Sequence, residues 1–263
     1  MALTDNIVAY YKFDESSGNA EDSVGSLDLT NRNSVAFTTG KINNGADFEY
    51  GSNQGFSITD AASSGAFDLI DNFTLAFWVN FESLPSTGDA KWYIVFKNDC
   101  YQFQVPYNAS GSYGLKIYLR DSTGFYSPSV AWTPSTSTWY HIAVTREKST
   151  GYVKFYVNGS QQGTTQETGR TASLYNSSDA FEIGQAGSSG LFDGILDELG
   201  VWSRVLSDSE ISQLYNSGSG LSYPFSSTSG PAHLKKFNGI AIANIKKING
   251  IAIANVKKIN SID

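Results

Sequence analysis

The sequence predicts an all-β fold. Short segments rich in aromatic and β-branched residues recur along the chain, and turn-forming residues separate them. Aromatic residues make up 14% of the 263 residues and glycine occurs 25 times, a composition that favours strands and turns over helices. Because no helical pattern is interleaved with these segments, we expect a sandwich or a barrel.

The predicted strands are short and nearly regularly spaced. A hairpin is predicted at Asn158-Gly159, directly after an alternating strand, because both residues tolerate a positive φ. In chain order the predicted strands are IVAYYKF, ADFEY, FSIT, FTLAFWVNF, WYIVF, YQFQV, YGLKIYL, TWYHIAVTR, YVKFYVNG, AFEIG and ILDELGVW.

One helix is predicted near the end of this pattern, in SRVLSDSEISQLYNSGSG. Ser207 can cap its N-terminus, Glu210 can complete a capping box, and Gly218 lies where the helix must stop. The apolar stripe of Ile211, Leu214 and Tyr215 indicates that the helix packs against the sandwich.

The chain divides into a globular body at residues 1–217, a Gly/Ser/Pro linker at 218–234 and a tail at 235–263.

The tail repeats an eleven-residue unit, KKFNGIAIANI and then KKINGIAIANV. A right-handed coiled coil has that period, but the isoleucines would spread over more than half of the helix and each copy holds a glycine. A strand and an Asn-Gly turn per repeat fit better. So few repeats cannot bury their own faces, so we expect the tail to assemble with other copies or other proteins.

Charge and composition narrow the function classes. The formal charge is −7, and residues 235–263 carry six lysines and one aspartate, +5, which leaves −12 for the rest. An acidic body argues against duplex nucleic acid as a partner, because phosphate neutralisation needs clustered cations.

Cys100 is the single cysteine, so no intramolecular disulfide can form. The N-terminal residues lack a secretory pattern and no stretch reaches the roughly 20 apolar residues of a membrane span, so we expect neither a signal peptide nor membrane insertion.

Three segments carry a family signature: NIVAYYKFDESSGNAEDSVGS, then the series NFTLAFWVNF, TWYHIAVTRE and YVKFYVNGSQQG, and finally LFDGILDELGVWSRVLSDSEISQLY. Together they resemble the first strand and loop, the core strands, and the last strand and helix of the laminin-G-like, concanavalin A-like jelly-roll family of bacterial and viral surface proteins. The resemblance covers residues 6–215. It implies a jelly-roll sandwich of two antiparallel sheets, a fold that carries lectins, glycosidases and spacers alike.

Strand alternation supplies candidate ligand-binding residues for such a fold. With Leu115, Ile117 and Leu119 facing the core, the residues between them face outward, and the same rule applies around Phe77 and Phe155. The candidates are Trp78, Tyr118, Arg120 and Tyr156, to which we add Trp92 in the loop-flanked segment DAKWY. The alternative is that these side chains only cover the second face of a sheet.

Glycosidase chemistry is not expected. Retaining glycosidases need two carboxylates about 5 to 5.5 Å apart, and the paired carboxylates of the predicted strands are Asp197 and Glu198 in ILDELGVW. Adjacent strand residues are expected to point to opposite faces. We therefore predict a protein that is not an enzyme.

The family resemblance also implies a structural calcium ion. It puts the Asp22 loop, EDSVGS, beside the last strand, which carries Asp197, and members of the fold hold calcium where these segments meet. Carboxylates are calcium ligands. The alternative is that Asp22 caps its own loop by accepting hydrogen bonds from nearby amides.

These observations predict a non-enzymatic structural protein of a phage or virus, located on the virion surface as a decoration or fibre component. Its lectin-like head would bind glycans or a host surface, and its tail would join it to other copies or to virion proteins. The Asn-Gly-Ile-Ala repeats also resemble those at the ends of phage virion proteins. Two alternatives stay open: a bacterial cell-surface carbohydrate-binding adhesin and a glycan-degrading enzyme.

Overall fold

The computed structural model describes residues 1–86, 91–108, 110–187 and 192–225, together with four two-residue strands between 236 and 252. The chain forms two compact units, Met1–Tyr223 and Pro224–Asp263. The body therefore continues through the first residues that the sequence assigns to the linker. Residues 226–234 of that linker lie outside the described residues.

Strands dominate the described residues, as predicted. Every strand predicted for the body is present, while five polar or very short strands of the body were not predicted: β2, β3, β10, β11 and β14 in the following list. The strands are β1 (Ile7–Tyr11), β2 (Thr30–Arg32), β3 (Ala36–Thr39), β4 (Asn44–Phe48), β5 (Gly55–Ile58), β6 (Phe73–Phe81), β7 (Lys91–Lys97), β8 (Tyr101–Pro106), β9 (Gly114–Asp121), β10 (Gly124–Tyr126), β11 (Ser129–Ala131), β12 (Trp139–Glu147), β13 (Tyr152–Val157), β14 (Ser160–Glu167), β15 (Phe181–Ile183), β16 (Gly194–Trp202), β17 (Lys236–Phe237), β18 (Ile240–Ala241), β19 (Lys247–Ile248) and β20 (Ile251–Ala252), and the helices are α1 (Asp60–Ser63) and α2 (Asp208–Tyr215).

Two antiparallel eight-stranded sheets form the body and confirm the jelly-roll-like sandwich. The first sheet has the order β14-β13-β12-β6-β16-β4-β3, with β1 also paired to β16. The second sheet has the order β10-β9-β8-β7-β15-β5-β2, with β11 also paired to β9. Among the described residues, none of the helices has the length and apolar composition that a membrane span requires.

The core lies between the two sheets and is built by the alternating residues of their facing strands. Phe77 of β6 contacts Phe103 of β8 with ring centroids 5.5 Å apart, and Phe103 also contacts Phe155 of β13. These rings are fully or almost fully buried. The predicted alternation therefore assigns inward faces correctly for β6, β9 and β13.

The predicted hairpin and helix signals are confirmed. Val157 pairs with Ser160, so Asn158 and Gly159 form a two-residue turn, and their φ values are 50° and 77°. Ser207 caps α2 and forms a complete capping box with Glu210. The helix ends at Asn216 in a left-handed conformation, slightly before the predicted stop at Gly218, because asparagine also tolerates that conformation.

A bulge in β16 changes the facing of its residues. The register of β16 against β6 shifts between Asp197 and Gly200, and Glu198 has a φ of 52°. Leu196 and Leu199 both lie in the core cluster, so the two residues between them lie on the outward face. The expectation that Asp197 and Glu198 point to opposite faces was wrong, because the extra residue of a bulge breaks strict alternation.

Both bulge carboxylates are buried under the segments that cover the outward face of the first sheet. Asp197 is 0% and Glu198 4% exposed, and one oxygen of each, Oδ1 and Oε1, has no hydrogen-bond partner. Burial raises the pKa of Asp197 to about 9 and that of Glu198 to about 7, because desolvation penalises the charged form. Asp197 Oδ2 accepts a hydrogen bond from the amide of Ile42 (2.8 Å).

The described residues of the second unit form two short ladders. Strand β17 pairs with β18 and β19 pairs with β20, each time across two intervening residues of the repeat. The remaining residues of the predicted repeat strands lie outside the described residues.

We expect the substitution Asp197→Asn to stabilise the body at alkaline pH. The folded state keeps the Asp197 proton until the pH nears about 9, whereas the ordinary pKa is 3.8, so wild-type stability falls as the pH rises through this window. Asparagine has no such proton to lose. Thermal unfolding should show the variant melting above the wild type near about pH 8, with the difference shrinking toward about pH 4.

The matched control is Glu21→Gln, because Glu21 is exposed. This control should keep the wild-type dependence of melting temperature on pH. Identical pH profiles for the wild type and Asp197→Asn would contradict the assignment of the buried proton.

Candidate functional site

Two of the candidate ligand-binding residues lie on the outward face of the first sheet where α2 packs across it. Trp78 points away from the core as predicted but is 2% exposed, and its ring stacks on Tyr215 of α2 at 5.7 Å. Tyr156 is 1% exposed and donates a hydrogen bond to Asp208 Oδ1 (2.7 Å). Strand alternation identified their face correctly but could not show that α2 lies across it.

Trp92 is also unavailable to a ligand. It lies in β7, as the predicted strand WYIVF implies, but it belongs to the buried core cluster and is 7% exposed. Its Nε1 donates to the carbonyl oxygen of Ser83 (3.1 Å), and its ring contacts Tyr50 at 5.2 Å. This burial argues against Trp92 as a ligand-binding residue, because its side chain completes the core at one end of the sandwich.

The outward face of the second sheet is open and carries the two remaining candidates. Tyr118 and Arg120 are partly exposed on β9, with Lys116 beside them on the same face. Arg120 pairs with Asp99 and lies over the rings of Phe125 (5.1 Å) and Tyr175 (4.5 Å). Its charge is therefore already compensated within the protein.

A groove of about 440 Å³ runs beside Tyr118 on this open face. We call it the tyrosine groove. Cross-strand pairing of β8 with β9 and of β9 with β11 sets Lys116 between Gln104 and Ser129. The side chains that form its rim and floor are Gln104, Tyr107, Tyr113, Lys116, Tyr118 and Ser129.

The aromatic wall of the tyrosine groove is built at a turn. Tyr107 and Tyr113 form an isolated antiparallel bridge and their ring centroids are 4.8 Å apart. Asn108 Oδ1 accepts hydrogen bonds from the amides of Ser110 (3.1 Å) and Ser112 (2.9 Å), which holds the described part of the turn between the two rings. This side-chain bonding to nearby amides is typical of turns that begin with asparagine.

A buried polar atom, Oε1 of Gln104, lies at the floor of the tyrosine groove. Gln104 is 1% exposed and its Nε2 donates to Gln102 Oε1 (3.2 Å), while its Oε1 has no hydrogen-bond partner. An unpaired buried acceptor costs roughly 1–3 kcal/mol. A ligand hydroxyl that reached Gln104 would recover this cost.

A second groove of about 500 Å³ lies beside α2 on the first sheet. Its polar groups already bond to one another, because Asp208 accepts from Tyr156 (2.7 Å) and pairs with Lys154 (3.7 Å). No buried polar atom without a partner is found among its described lining residues. The tyrosine groove is therefore the better candidate for ligand binding.

The residues predicted to hold calcium have separate surroundings. Asp22 Oδ1 accepts from the amides of Tyr10 and Val24 (both 3.0 Å), and Oδ2 accepts from those of Gly25 (3.0 Å) and Leu27 (3.2 Å). Asp197 Oδ2 accepts from the Ile42 amide (2.8 Å), and its Oδ1 has no hydrogen-bond partner. Four amide donors occupy the places where a cation would approach Asp22, so these residues do not fit a calcium ion held jointly.

Three other carboxylates come together, those of Asp47, Glu49 and Glu82, whose ligand atoms lie within 4.8 Å of one another. No other group of three metal-ligating side chains occurs among the described residues. Glu49 and Glu82 are exposed, and burial raises the pKa of Asp47 and of Glu82. Exposed acidic groups of this kind occur without a metal.

Glu198 and His141 lie in a closed space under α2 and Leu221. Tyr10 Oη donates to Glu198 Oε2 (2.6 Å), and the space lined by Tyr10, Trp78 and Leu221 has no room for a water molecule. Burial lowers the pKa of His141 to about 3, so its imidazole is neutral. A saccharide cannot reach these groups in this arrangement.

Sequence reasoning missed Gln104, Tyr107 and Tyr113. The two tyrosines flank the segment Asn108–Ser112 in VPYNASGSYG, and a pair of aromatic residues on either side of an Asn/Ser/Gly turn could have been recognised as a candidate wall. No sequence signal identifies Gln104, because its unpaired oxygen depends on how β8, β9 and their side chains pack.

Comparison with solved structures finds the same architecture in several binding domains. Domain 4 of a GH43 extracellular arabinanase from Geobacillus stearothermophilus, in complex with arabinotriose, is 21% identical with a TM-score of 0.58, and the match covers 79% of this chain and 97% of that one. The binding domain of Paraclostridial Mosquitocidal Protein 1 is 18% identical with a TM-score of 0.64, over 82% of this chain and 53% of that one. At these identities the likeness shows the fold.

The toxin domains are longer than the matched part of this chain. A structure of botulinum neurotoxin type C, whose cell entry depends on interaction with two ganglioside molecules, is 14% identical with a TM-score of 0.63 over 81% of this chain and 51% of that one. This chain thus spans about half of each toxin domain. No curated protein matches the sequence.

The family assignment comes from the sequence of the sandwich itself. Residues 50–212 match the Laminin_G_3 family model, described as the concanavalin A-like lectin/glucanases superfamily. The match begins just after β4, runs into α2 and includes the strands that build the tyrosine groove. The chain belongs to the Laminin_G_3 family of concanavalin A-like lectin/glucanase domains.

Proposed function

We propose that the body is a lectin-like module that binds an oligosaccharide in the tyrosine groove. The observation that carries the proposal is the combination of an aromatic wall with a buried, unpaired amide oxygen at Gln104. Saccharide sites combine apolar ring surfaces with a few placed polar groups. The arabinotriose complex of the arabinanase domain and the ganglioside-dependent toxin support this use of the fold.

The chemistry of the groove suits a sugar. The apolar face of a sugar ring can pack on Tyr118 or on the Tyr107–Tyr113 pair, while hydroxyls donate to Gln104 Oε1 and exchange hydrogen bonds with Ser129. The groove is open along its length and so can take part of a longer chain. Because the walls of the groove are partly exposed, we expect one copy of the protein to bind a saccharide with modest affinity.

We also propose that residues 235–263 join several copies, or join the protein to a larger particle. The repeat of an eleven-residue unit and its short ladders β17–β18 and β19–β20 support this role. Isolated two-stranded hairpins are at best marginally stable in water, so partners would stabilise them. A saccharide-binding body joined to an assembling tail is consistent with a structural protein on the surface of a phage or virus particle. The alternative is a bacterial cell-surface adhesin.

We expect Tyr118→Ala to weaken oligosaccharide binding at least about tenfold, which is roughly 1.4 kcal/mol. The cause is loss of the ring against which the sugar packs. The measurement is a titration of the tightest saccharide from a broad panel, with melting temperatures measured in parallel. Because Tyr118 is partly exposed, the stability change should be under about 1 kcal/mol.

The matched control for Tyr118→Ala is Tyr152→Ala, since Tyr152 is 36% exposed and lines the groove beside α2. This control should bind like the wild type. Loss of binding in Tyr152→Ala with full binding in Tyr118→Ala would move the site to the α2 groove and contradict the proposal.

We expect deletion of residues 235–263 to leave a folded monomer. The described core lies within Met1–Tyr223, so the body should melt with little change, while the full chain should be multimeric. Sedimentation and light scattering of both proteins measure this. If the full chain and the truncated chain are both monomeric and the full chain joins no particle, the assembly role fails.

A further inference from the structure

The tyrosine groove contains one charged side chain among its described lining residues, and that charge is positive. Lys116 lies between Gln104 and Ser129, which are both neutral. No carboxylate forms an ion pair with Lys116 among the described residues. Its Nζ instead lies 5.2 Å from the centroid of the Tyr118 ring. A cation held over an aromatic face keeps its full charge for another partner.

The neighbouring cation on the same strand shows the contrast. Arg120 follows Lys116 on the outward face of β9 but is neutralised by Asp99 and enclosed by two aromatic rings. Lys148, in the turn after β12, is likewise paired, with Asp71 at 2.8 Å. Lys41 also lacks an ion-pair partner among the described residues and lies over Trp78, but it does not line the tyrosine groove. Lys116 is therefore the unpaired cation that a ligand in this groove would meet.

The body as a whole is acidic, with −12 before the tail, and this opposes binding of an anion. At physiological ionic strength, however, exposed charges are largely screened beyond about 8 Å. The charge inside the groove therefore outweighs the distant carboxylates for a ligand that lies in contact with Lys116.

We propose that the tyrosine groove selects anionic saccharides, with an acidic group bound at Lys116 Nζ and a neighbouring hydroxyl donating to Gln104 Oε1. This inference rests on the proposed saccharide site and names its ligand class. An uncompensated cation beside an unpaired acceptor requires one ligand that offers both an anion and a hydroxyl donor. A uronic acid and a sulfated sugar both provide these groups.

The test uses the full chain and three probes: an oligogalacturonate, the same oligomer after reduction of its carboxyl groups to alcohols, and a sulfated galactan oligomer. We expect the wild type to bind the oligogalacturonate at least about tenfold more tightly than the reduced oligomer. Lys116→Gln should bring that ratio close to one while keeping the affinity for the reduced oligomer. Lys116→Arg should retain the preference, because it keeps the charge.

The matched control is Lys148→Gln, which should leave the preference unchanged. A stronger preference for the sulfated oligomer that also depends on Lys116 supports the inference and assigns a sulfate ester as the anion. Equal affinity of the wild type for charged and reduced oligomers, or an equal loss of both in Lys116→Gln, would overturn it.

Different results would contradict the proposed saccharide site and its proposed selectivity for anions. If Tyr118→Ala loses binding while the wild type ignores charge, the saccharide site stands and the anion selectivity is wrong. If neither the wild type nor Tyr118→Ala binds any saccharide, the site itself is wrong.

Discussion

The bulge in β16 is the constraint on which the arrangement of the body depends. This strand pairs with β6 along one edge and with β4 and then β1 along the other, and the register shift falls where β4 gives way to β1. Two carboxylates in succession are thereby turned outward. Gly200 follows, and a Cβ there would lie 2.3 Å from the ring of Trp202, so the close approach of that ring requires glycine.

The carboxylates that the bulge turns outward are covered by other parts of the chain. Asp197 and Glu198 lie beside the large rings of Tyr10, Trp78 and Trp202, which α2 and the segment after it shield from water. The segment reaches as far as Tyr223, whose ring contacts Tyr10 at 5.9 Å. The price is two desolvated carboxyl groups with unpaired oxygens, which make the stability of the body depend on pH.

The two sheets therefore have different tasks. Part of the outward face of the first sheet packs against α2, and the aromatic side chains there, such as Trp78, stabilise that packing. The second sheet keeps an open face, where Tyr118, Lys116 and the Tyr107–Tyr113 pair remain accessible. A modest saccharide site of this kind gains strength when copies act together, since linked sites can raise avidity by about 10²- to 10⁴-fold without a new contact.

The sequence alone determined the fold class, the order of the main strands, the Asn158-Gly159 hairpin and the capped helix, because each depends on local periodicity or on the chemistry of one turn. It also determined the direction in which Tyr118, Trp78 and Tyr156 point. Which of those side chains are exposed depends on how α2 packs, and α2 is distant in sequence from most of the strands that it covers. The same holds for Asp197 and Glu198, whose shared face depends on a register shift between paired strands, and for Gln104, whose unpaired oxygen depends on the packing of neighbouring side chains. Exposure and hydrogen bonding are properties of assembled surfaces, and no single segment of the chain contains them.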